Sequence, residues 1–381
     1  MFGGTFRLGR VLGVEVKVDA SWIFIAALIT WSLAGHYFPM AHPGWGGGVY
    51  LLAGVLTAAL FFLSILAHEL SHSIVSRRFG RPVRSITLFF FGGATELQGE
   101  PRWPREELLM ALAGPATSLV SAGLFGALWL VSRGRLDLVH AITGWLAWIN
   151  LVLGVFNLVP GFPLDGGRVF RAIVWSVTGD PRRATRIAAG VGRYIGLALI
   201  GWGVWSVFGG DWANGLWIAL IGWFLHSAAA ASMQELVVED LLAGHRVREA
   251  MAADCPRVPS QLTLDAVVDQ VATPSHQLSF PVVEGGRAVG LLSLEEILRV
   301  PRKHWATTHA GEVMQPVAAL TPVQPDEPIA PVFTRMMTEG LWQLPVVENG
   351  EFVGAITRVG LLLFARTLAD AARGTAPAAR P

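Results

Sequence analysis

The chain has 381 residues, of which 52% are hydrophobic and only 15% are charged, whereas a typical soluble domain is about 25% charged. This composition excludes a disordered or collagen-like chain and an ordinary cytosolic globule, and it favours a membrane protein if the apolar residues form long runs. The net charge of +1 does not indicate a nucleic acid as partner, and the single cysteine, Cys255, excludes an internal disulfide framework.

Long stretches without charged residues recur through the first 235 residues. A helix needs about 20 apolar residues to cross the roughly 30 Å hydrocarbon layer of a bilayer. The fifth predicted span is the weakest, because Arg186 and Arg193 lie in its first half. The sequence predicts six spans, at residues 20–38, 49–76, 108–132, 138–158, 186–208 and 212–233. We therefore expect a polytopic α-helical membrane protein.

The connections between these spans alternate in positive charge. Residues 1–19, 77–84 and 168–186 are rich in Lys or Arg, whereas 39–48 and 209–211 contain neither. Cytoplasmic loops carry the excess of Lys and Arg in membrane proteins. This pattern predicts a multi-pass protein of the cell membrane with both termini on the cytoplasmic side.

The second span contains an HExxH motif, which runs from His68 through Glu69 to His72. Residues at positions i and i+4 share one face of a helix, so both imidazoles can bind one zinc ion. Glu69 beside them can act as the base that activates water. Imidazole and carboxylate groups are costly at membrane depth and usually functional there. The alternative is a proton or ion relay, or a helix contact, built from the same residues.

A catalytic zinc ion needs a third protein ligand and an open fourth position. Residues 157–167, at the end of the fourth span, contain two prolines and three glycines that interrupt a helix. Broken backbone at membrane depth is tolerated where it is packed in protein or lines a wet cavity. Asp165 ends an uncharged run that begins at residue 138. A lone carboxylate there predicts a cation, so we expect Asp165 to be the third ligand. The alternative is a carboxylate that caps a loop at the cytoplasmic boundary.

Together these motifs resemble the site-2 protease family of intramembrane zinc metalloproteases. That family pairs HExxH with Asn-x-x-Pro-x-x-x-x-Asp-Gly, and residues 157–166 match every fixed position. Residues 90–94 (FFGGA) and 113–115 (AGP) also resemble it. The resemblance covers about residues 8–235 and implies a membrane helical core with a small β element near the active site.

The resemblance also implies roles for individual residues. Zinc would bind His68, His72 and Asp165, one ion per chain. Glu69 would be the general base, and Asn157 would steady the oxyanion or the scissile carbonyl. The substrates would be transmembrane segments of membrane proteins, cut in regulated intramembrane proteolysis.

A peptide bond inside a helix is shielded by the hydrogen bonds of that helix. The substrate must therefore unwind locally, and an exposed strand edge could pair with the extended peptide. The segment Ser85–Gln98, rich in Phe and Thr with a Gly-Gly break, is the candidate for that edge. The alternative is a cytoplasmic hairpin with a structural role only.

Beyond residue 240 the hydrophobic runs shorten, and two similar segments follow each other with a period of about 64 residues. FPVVEGGRAVGLLS begins at Phe280 and LPVVENGEFVGAIT begins at Leu344. Two tandem copies of one α+β fold are the natural interpretation. They resemble a pair of CBS domains, at about 245–300 and 308–367, a family whose pairs commonly sense adenine nucleotides.

The family contacts a ribose through Ser or Thr followed three residues later by Asp. The first copy has Ser293 followed three residues later by Glu296, and the second has Thr357 followed three residues later by Gly360. The resemblance therefore implies that an adenine nucleotide can bind at the first copy, whereas the second copy lacks the carboxylate of the pattern. A structural or homodimerising module is the alternative.

These observations predict an intramembrane metalloprotease domain at 1–240, a cytoplasmic CBS pair at 241–370 and a disordered tail at 371–381. The predicted function is a zinc endopeptidase of the lipid bilayer, modulated by its CBS domains. A transporter or channel, in which His68, Glu69, His72 and Asp165 form an ion pathway, is the other functional class. An inactive scaffold is a third, which the complete ligand set disfavours.

Overall fold

Helices form most of the first of the two units into which the chain divides, Met1–Leu236 and Val237–Pro381. The computed structural model describes residues 5–89, 92–97, 101–252, 256–272, 279–285, 287–316, 322–339, 341–348 and 351–372. Within these ranges, six helices are long and apolar enough to cross a membrane. The prediction of six spans is confirmed.

The six long helices differ from the predicted spans mainly at their ends. The fifth begins at Pro181 and includes both arginines that made it the weakest span. A shorter helix, which the sequence analysis did not predict, separates the fourth and fifth. In chain order the helices are α1 (Ala20–Ala41), α2 (Gly47–Arg78), α3 (Pro104–Ser132), α4 (Asp137–Asn157), α5 (Asp165–Thr178), α6 (Pro181–Phe208) and α7 (Trp212–Leu242).

The predicted small β element is a four-stranded sheet with the strand order β1-β2-β3-β4. The strands are β1 (Thr5–Val11), β2 (Val14–Asp19), β3 (Val83–Phe89) and β4 (Gly92–Leu97). Strands β2 and β3 are parallel, and the other two pairs are antiparallel. Leu12 and Gly13 connect β1 to β2 with positive φ angles of 52° and 81°, which is the backbone that a tight two-residue hairpin requires. The sequence analysis did not predict this first hairpin.

One face of the sheet packs on α1 and α2. Val14 and Val18 of β2, with Ile86 and Leu88 of β3, form a buried apolar cluster with Ile25, Phe62 and Ile65 of the helices. Burial of this apolar surface fixes the sheet against α2, the helix with the HExxH motif. Strand β4 lies at the edge of the sheet, and in the described part of the chain its only partner strand is β3.

The connection from α4 to α5 positions Asp165. Helix α4 ends at Asn157, and α5 begins at Asp165 after a turn that contains the cis peptide bond Phe162–Pro163. Gly166 and Gly167 are buried, and a β-carbon on either would overlap the backbone of residues 158–162. Only glycine permits this close approach, so the turn holds the start of α5 in one place.

The second unit contains two similar halves. In the first, Val258 of β5 pairs in parallel with Val282 of β6, and in the second, Val323 pairs in parallel with Val346 of β9. Each half has its own buried apolar cluster. The strands are β5 (Val258–Pro259), β6 (Ser279–Glu284), β7 (Arg287–Ser293), β8 (Gln315–Pro316), β9 (Gln343–Glu348) and β10 (Glu351–Thr357).

Short helices complete each half of this unit. They are α8 (Val247–Ala250), α9 (Leu264–Val267), α10 (Leu294–Arg299), α11 (Ala310–Val313), α12 (Ile329–Thr338) and α13 (Arg358–Ala372). The tandem repeat and the α+β class predicted from the sequence are confirmed. Helix α13 extends to Ala372, and residues 373–381 of the predicted tail lie outside the described residues, as does Cys255.

Candidate metal centre

The structure brings together the three residues predicted to bind zinc. His68 Nε2 and His72 Nε2 lie 3.0 and 3.2 Å from Asp165 Oδ2. The three donor atoms are all within 4.8 Å of one another. Because His68 and His72 are four residues apart on α2, they share one face of the helix, and Asp165 approaches that face from the first turn of α5.

Each histidine is oriented by the ring nitrogen that faces away from this cluster. His68 Nδ1 lies 2.9 Å from the hydroxyl oxygen of Ser118, and His72 Nδ1 lies 2.7 Å from the carbonyl oxygen of Met110. Both partners belong to α3. Such contacts fix the tautomer and the ring plane of metal-binding histidines.

The hydrogen bond of His72 shows that the cluster suits a cation. A carbonyl oxygen can only accept, so Nδ1 of His72 donates, and Nε2 carries a lone pair whenever the ring is neutral. Nε2 faces the Asp165 carboxylate at 3.2 Å, and these two acceptors repel at this distance unless a proton or a metal ion lies between them. Tetrahedral zinc with ligands at about 2.1 Å places its donor atoms about 3.4 Å apart, close to the observed spacing. These residues therefore fit a zinc ion.

Gly114 of α3 leaves space for the imidazole rings of His68 and His72. A β-carbon on this residue would overlap Nε2 of both His68 and His72. A glycine is thus required where the backbone of α3 passes the two donor nitrogens, and the helix forms one wall of the site. This glycine belongs to residues 113–115 (AGP), which resemble the site-2 protease family in sequence.

Glu69 lies beside the histidines and is held by the edge strand. Its Oε2 accepts a hydrogen bond of 2.7 Å from the Thr95 hydroxyl of β4. A β-carbon on Gly93 of the same strand would overlap the Glu69 side chain. Strand β4 therefore runs past the carboxylate, and the Gly-Gly segment lets it come close.

Comparison with known proteins agrees with this geometry. The sequence pattern of peptidase family M50 matches residues 56–199, which include the whole donor cluster. The zinc metalloprotease Rip3 of Mycobacterium tuberculosis is 37% identical over 354 residues, which is 92% of this chain and 90% of that protein. The chain belongs to peptidase family M50. It is a zinc metalloprotease of the site-2 protease type.

Two further relatives extend the comparison. The zinc metalloprotease MJ0392 of Methanocaldococcus jannaschii is 25% identical over 367 residues, which is 94% of this chain and 95% of that protein. The solved site-2 protease from the same organism has a TM-score of 0.42 at 23% identity, over 60% of this chain and 95% of that chain.

The C-terminal unit contains two CBS domains, matched at residues 247–303 and 310–365. The resemblance of the tandem repeats to this family is thus confirmed.

The side chain of Asn157 forms a hydrogen bond within its own helix in this M50 member. Its Nδ2 donates to the carbonyl oxygen of Leu153, one turn back on α4, over 3.0 Å. The amide nitrogen carries two hydrogens, so Asn157 can keep this bond and offer its second hydrogen to an oxyanion. Its role at the scissile carbonyl stays a prediction.

The three residues predicted to contact a nucleotide all cap helices. Ser293 Oγ accepts from the amide of Glu296 over 3.2 Å, and Glu296 Oε2 accepts from the amide of Ser293 over 2.7 Å. This reciprocal capping box begins α10. Thr357 Oγ1 accepts from the amide of Gly360 at the start of α13. Nucleotide binding by these residues stays a prediction.

Sequence reasoning missed three residues that support the donor cluster. Ser118 and the carbonyl of Met110 orient the histidines, and Thr95 holds Glu69. The only available signal was indirect. Residues 110, 114 and 118 are spaced to share one face of a helix, and the glycine of that face was already noted.

Proposed function

We propose that this M50 protease is an intramembrane zinc endopeptidase that hydrolyses peptide bonds in or near transmembrane segments of membrane proteins. The observation that carries the proposal is the cluster of His68, His72 and Asp165 beside Glu69. Both histidines and the glutamate lie on a 32-residue helix whose length and apolarity suit a membrane span. A protease centre on such a helix is suited to substrates that reach it from the bilayer.

The residues divide the chemistry among them. A bound zinc ion would polarise the scissile carbonyl and make the attacking water more acidic. Glu69 accepts a proton from that water and donates it to the departing amine nitrogen. Thr95 holds Oε2 of the carboxylate, and we assign the proton to the other oxygen, Oε1. Asn157 would steady the oxyanion with the amide hydrogen that it does not donate to Leu153.

We further propose that β4 presents the substrate. Its outer edge is not used by another strand in the described part of the sheet, and Gly93 and Thr95 both contact Glu69. A substrate strand added at this edge would satisfy its backbone hydrogen bonds by β-augmentation while it passes the general base. Of the candidate segment Ser85–Gln98, Gln98 and residues 90–91 lie outside the described residues.

The depth of the site supports entry of water from the cytoplasmic side. His68 lies nine residues before Arg77 on α2, which corresponds to about 13–14 Å along the helix. With Lys- and Arg-rich segments placed in the cytoplasm, both termini and the CBS pair are cytoplasmic. We propose that the protein lies in the cell membrane in this orientation.

We also propose that the CBS pair modulates proteolysis, with an adenine nucleotide as the candidate ligand and a homodimer as the candidate assembly. Membership of the CBS family supports a sensing role. The capping box of Ser293 and Glu296 opposes nucleotide contact through these two residues, because both side chains already bind backbone amides at the start of α10. Nucleotide titration of the purified protein, with Glu296→Gln beside it, tests the first copy.

The experiment for the main proposal is cleavage by the purified full-length protein in liposomes. Single-span substrates are incubated with and without a zinc chelator, beside Glu69→Gln and His68→Ala. We expect the wild type to bind one zinc per chain and to lose cleavage on chelation. Both variants should fail to cleave, but Glu69→Gln should still bind zinc whereas His68→Ala should not. Cation flux without cleavage would instead support the ion pathway, and a folded wild-type protein without zinc would refute the proposal.

A further inference from the structure

A buried ion pair joins α3 to α5 near the metal centre. Glu107 Oε1 lies 3.2 Å from Arg171 Nη1, and the two side chains are only 2% and 12% exposed. Burying two charges is costly, and such a pair is held only if its geometry is good. The pair therefore fixes the relative position of the two helices at this point.

Glu107 belongs to the face of α3 that supports the histidines. It precedes Met110 by three residues, Gly114 by seven and Ser118 by eleven, and this spacing places all four on one side of the helix. The carbonyl of Met110 and the hydroxyl of Ser118 orient His72 and His68. The contact of Glu107 thus continues a row of contacts along the metal centre.

Arg171 belongs to the helix that begins with the third ligand. It follows Asp165 by six residues within α5, which is about 9 Å along the helix axis. No loop separates the two residues, so a displacement of Arg171 moves Asp165 with the helix. The ion pair consequently links the helix that orients both histidines to the helix that carries the carboxylate ligand.

We propose that Glu107 and Arg171 are positioning residues that hold Asp165 at ligand distance from His68 and His72. This proposal rests on the proposed zinc site. In a water-poor interior the attraction between the two charges is stronger than at a surface. Loss of one partner removes this attraction between α3 and α5, so α5 shifts and Asp165 leaves the position that suits the metal.

The neighbouring ion pair provides a matched control. Glu106 Oε2 lies 3.2 Å from Arg81 Nη2, with side chains 13% and 11% exposed. This pair joins the same turn of α3 to the segment after α2, and it does not include α5. Helices α2 and α3 are already joined through His68, His72 and their partners. Loss of this pair should therefore lower stability without moving Asp165.

The test measures zinc affinity of the full-length protein by competition with a chelator, and the visible spectrum of the cobalt(II)-substituted protein. The variants are Glu107→Gln and Arg171→Lys, with Glu106→Gln as control. We expect Glu107→Gln to weaken zinc binding about 10–100-fold, as for other groups that orient ligands, and to change the cobalt spectrum. Arg171→Lys keeps the positive charge, so it should weaken zinc binding less than Glu107→Gln does. Glu106→Gln should stay within about 3-fold of wild type, since Arg81 lies in the segment after α2 and the contacts of His68 and His72 with α3 remain.

A second variant keeps the test valid if Glu107→Gln does not fold. Glu107→Gln/Arg171→Gln removes both charges of the pair, so it should fold and still bind zinc, but weakly. The free energy of unfolding of each metal-free protein shows whether a loss of zinc affinity comes from lower stability or from displaced ligands. Wild-type zinc affinity in either Glu107 variant, or an equal loss in Glu106→Gln, would overturn the proposal. A wild-type protein that binds no zinc would overturn the proposed function itself.

Discussion

The Thr95 hydroxyl donates a hydrogen bond to Glu69 Oε2 over 2.7 Å. This bond connects the edge strand of the sheet to the residue that we assign as general base. A substrate strand that pairs with β4 would therefore act on the backbone that holds Glu69. If β4 binds the substrate as we propose, Thr95 links substrate binding to the placement of the base.

Thr95→Val should lower kcat about 10-fold and leave zinc stoichiometry unchanged. The valine keeps the shape of the side chain but cannot hold Glu69, and small displacements of a catalytic group cost up to about 100-fold in rate. Thr95→Ser restores the hydroxyl and should recover most of the activity. Cleavage assays with metal analysis on the same preparations check both values.

Thr87→Val is the matched control for that prediction. Thr87 pairs with Ala94 on β4, whereas Thr95 pairs with Ile86, which is fully buried toward the helices. Directly paired residues lie on the same face of a sheet, so Thr87 faces the opposite side from Glu69. An equal loss of activity in Thr87→Val would mean that the sheet as a whole, rather than the hydroxyl of Thr95, supports the base.

Gly114→Ala should abolish zinc binding and cleavage. A methyl group there overlaps Nε2 of both His68 and His72, so the rings must turn away from Asp165. Gly123→Ala on the same helix meets nothing within 4 Å and should bind zinc as the wild type does. Metal content after purification in zinc-containing buffer distinguishes the two variants. Full zinc occupancy in Gly114→Ala would show that the imidazoles do not lie where the structure places them.

Ser118→Ala should weaken zinc binding about 10–100-fold, because His68 loses the partner of its Nδ1 and the ring is no longer fixed. Ser73→Ala is the control, since the buried Ser73 hydroxyl donates only to the Glu69 carbonyl within α2. Chelator competition measures both affinities. A similar loss in the two variants would indicate general loosening of α2 instead of a specific effect on His68.

The donor residues could be predicted from the sequence because their signals are local. The spacing of His68 and His72 follows from the period of a helix, and Asp165 stands out as a lone carboxylate at the end of an uncharged run. The six spans likewise follow from the length and apolarity of each run.

The supporting residues could not be predicted because their roles depend on how distant elements pack. Ser118 is an ordinary serine of an apolar helix until α3 is placed against α2. Thr95 contacts Glu69 only because β4 lies at that edge of the sheet. The first hairpin is a different case: Val14, Val16 and Val18 alternate with polar residues and are buried, so the two-residue period of a strand was present in the sequence.

Glu296 makes the stability of the CBS pair depend on pH. Burial raises the pKa of its carboxyl above the ordinary value of 4.5, against the opposing effect of its hydrogen bonds with Ser293. The folded state therefore holds the proton more tightly than the unfolded state does. This contribution to stability is fully present below pH 4.5 and is lost as the pH rises through the folded pKa.

Glu296→Gln should remove this part of the pH dependence, because the amide cannot ionise yet its oxygen can still accept from the Ser293 amide. Urea unfolding of the CBS unit in the full-length protein, followed from pH 4 upward, measures the slope. An unchanged slope in Glu296→Gln would show that the pH dependence arises at other groups, and that the carboxylate is accommodated in the capping box without a penalty.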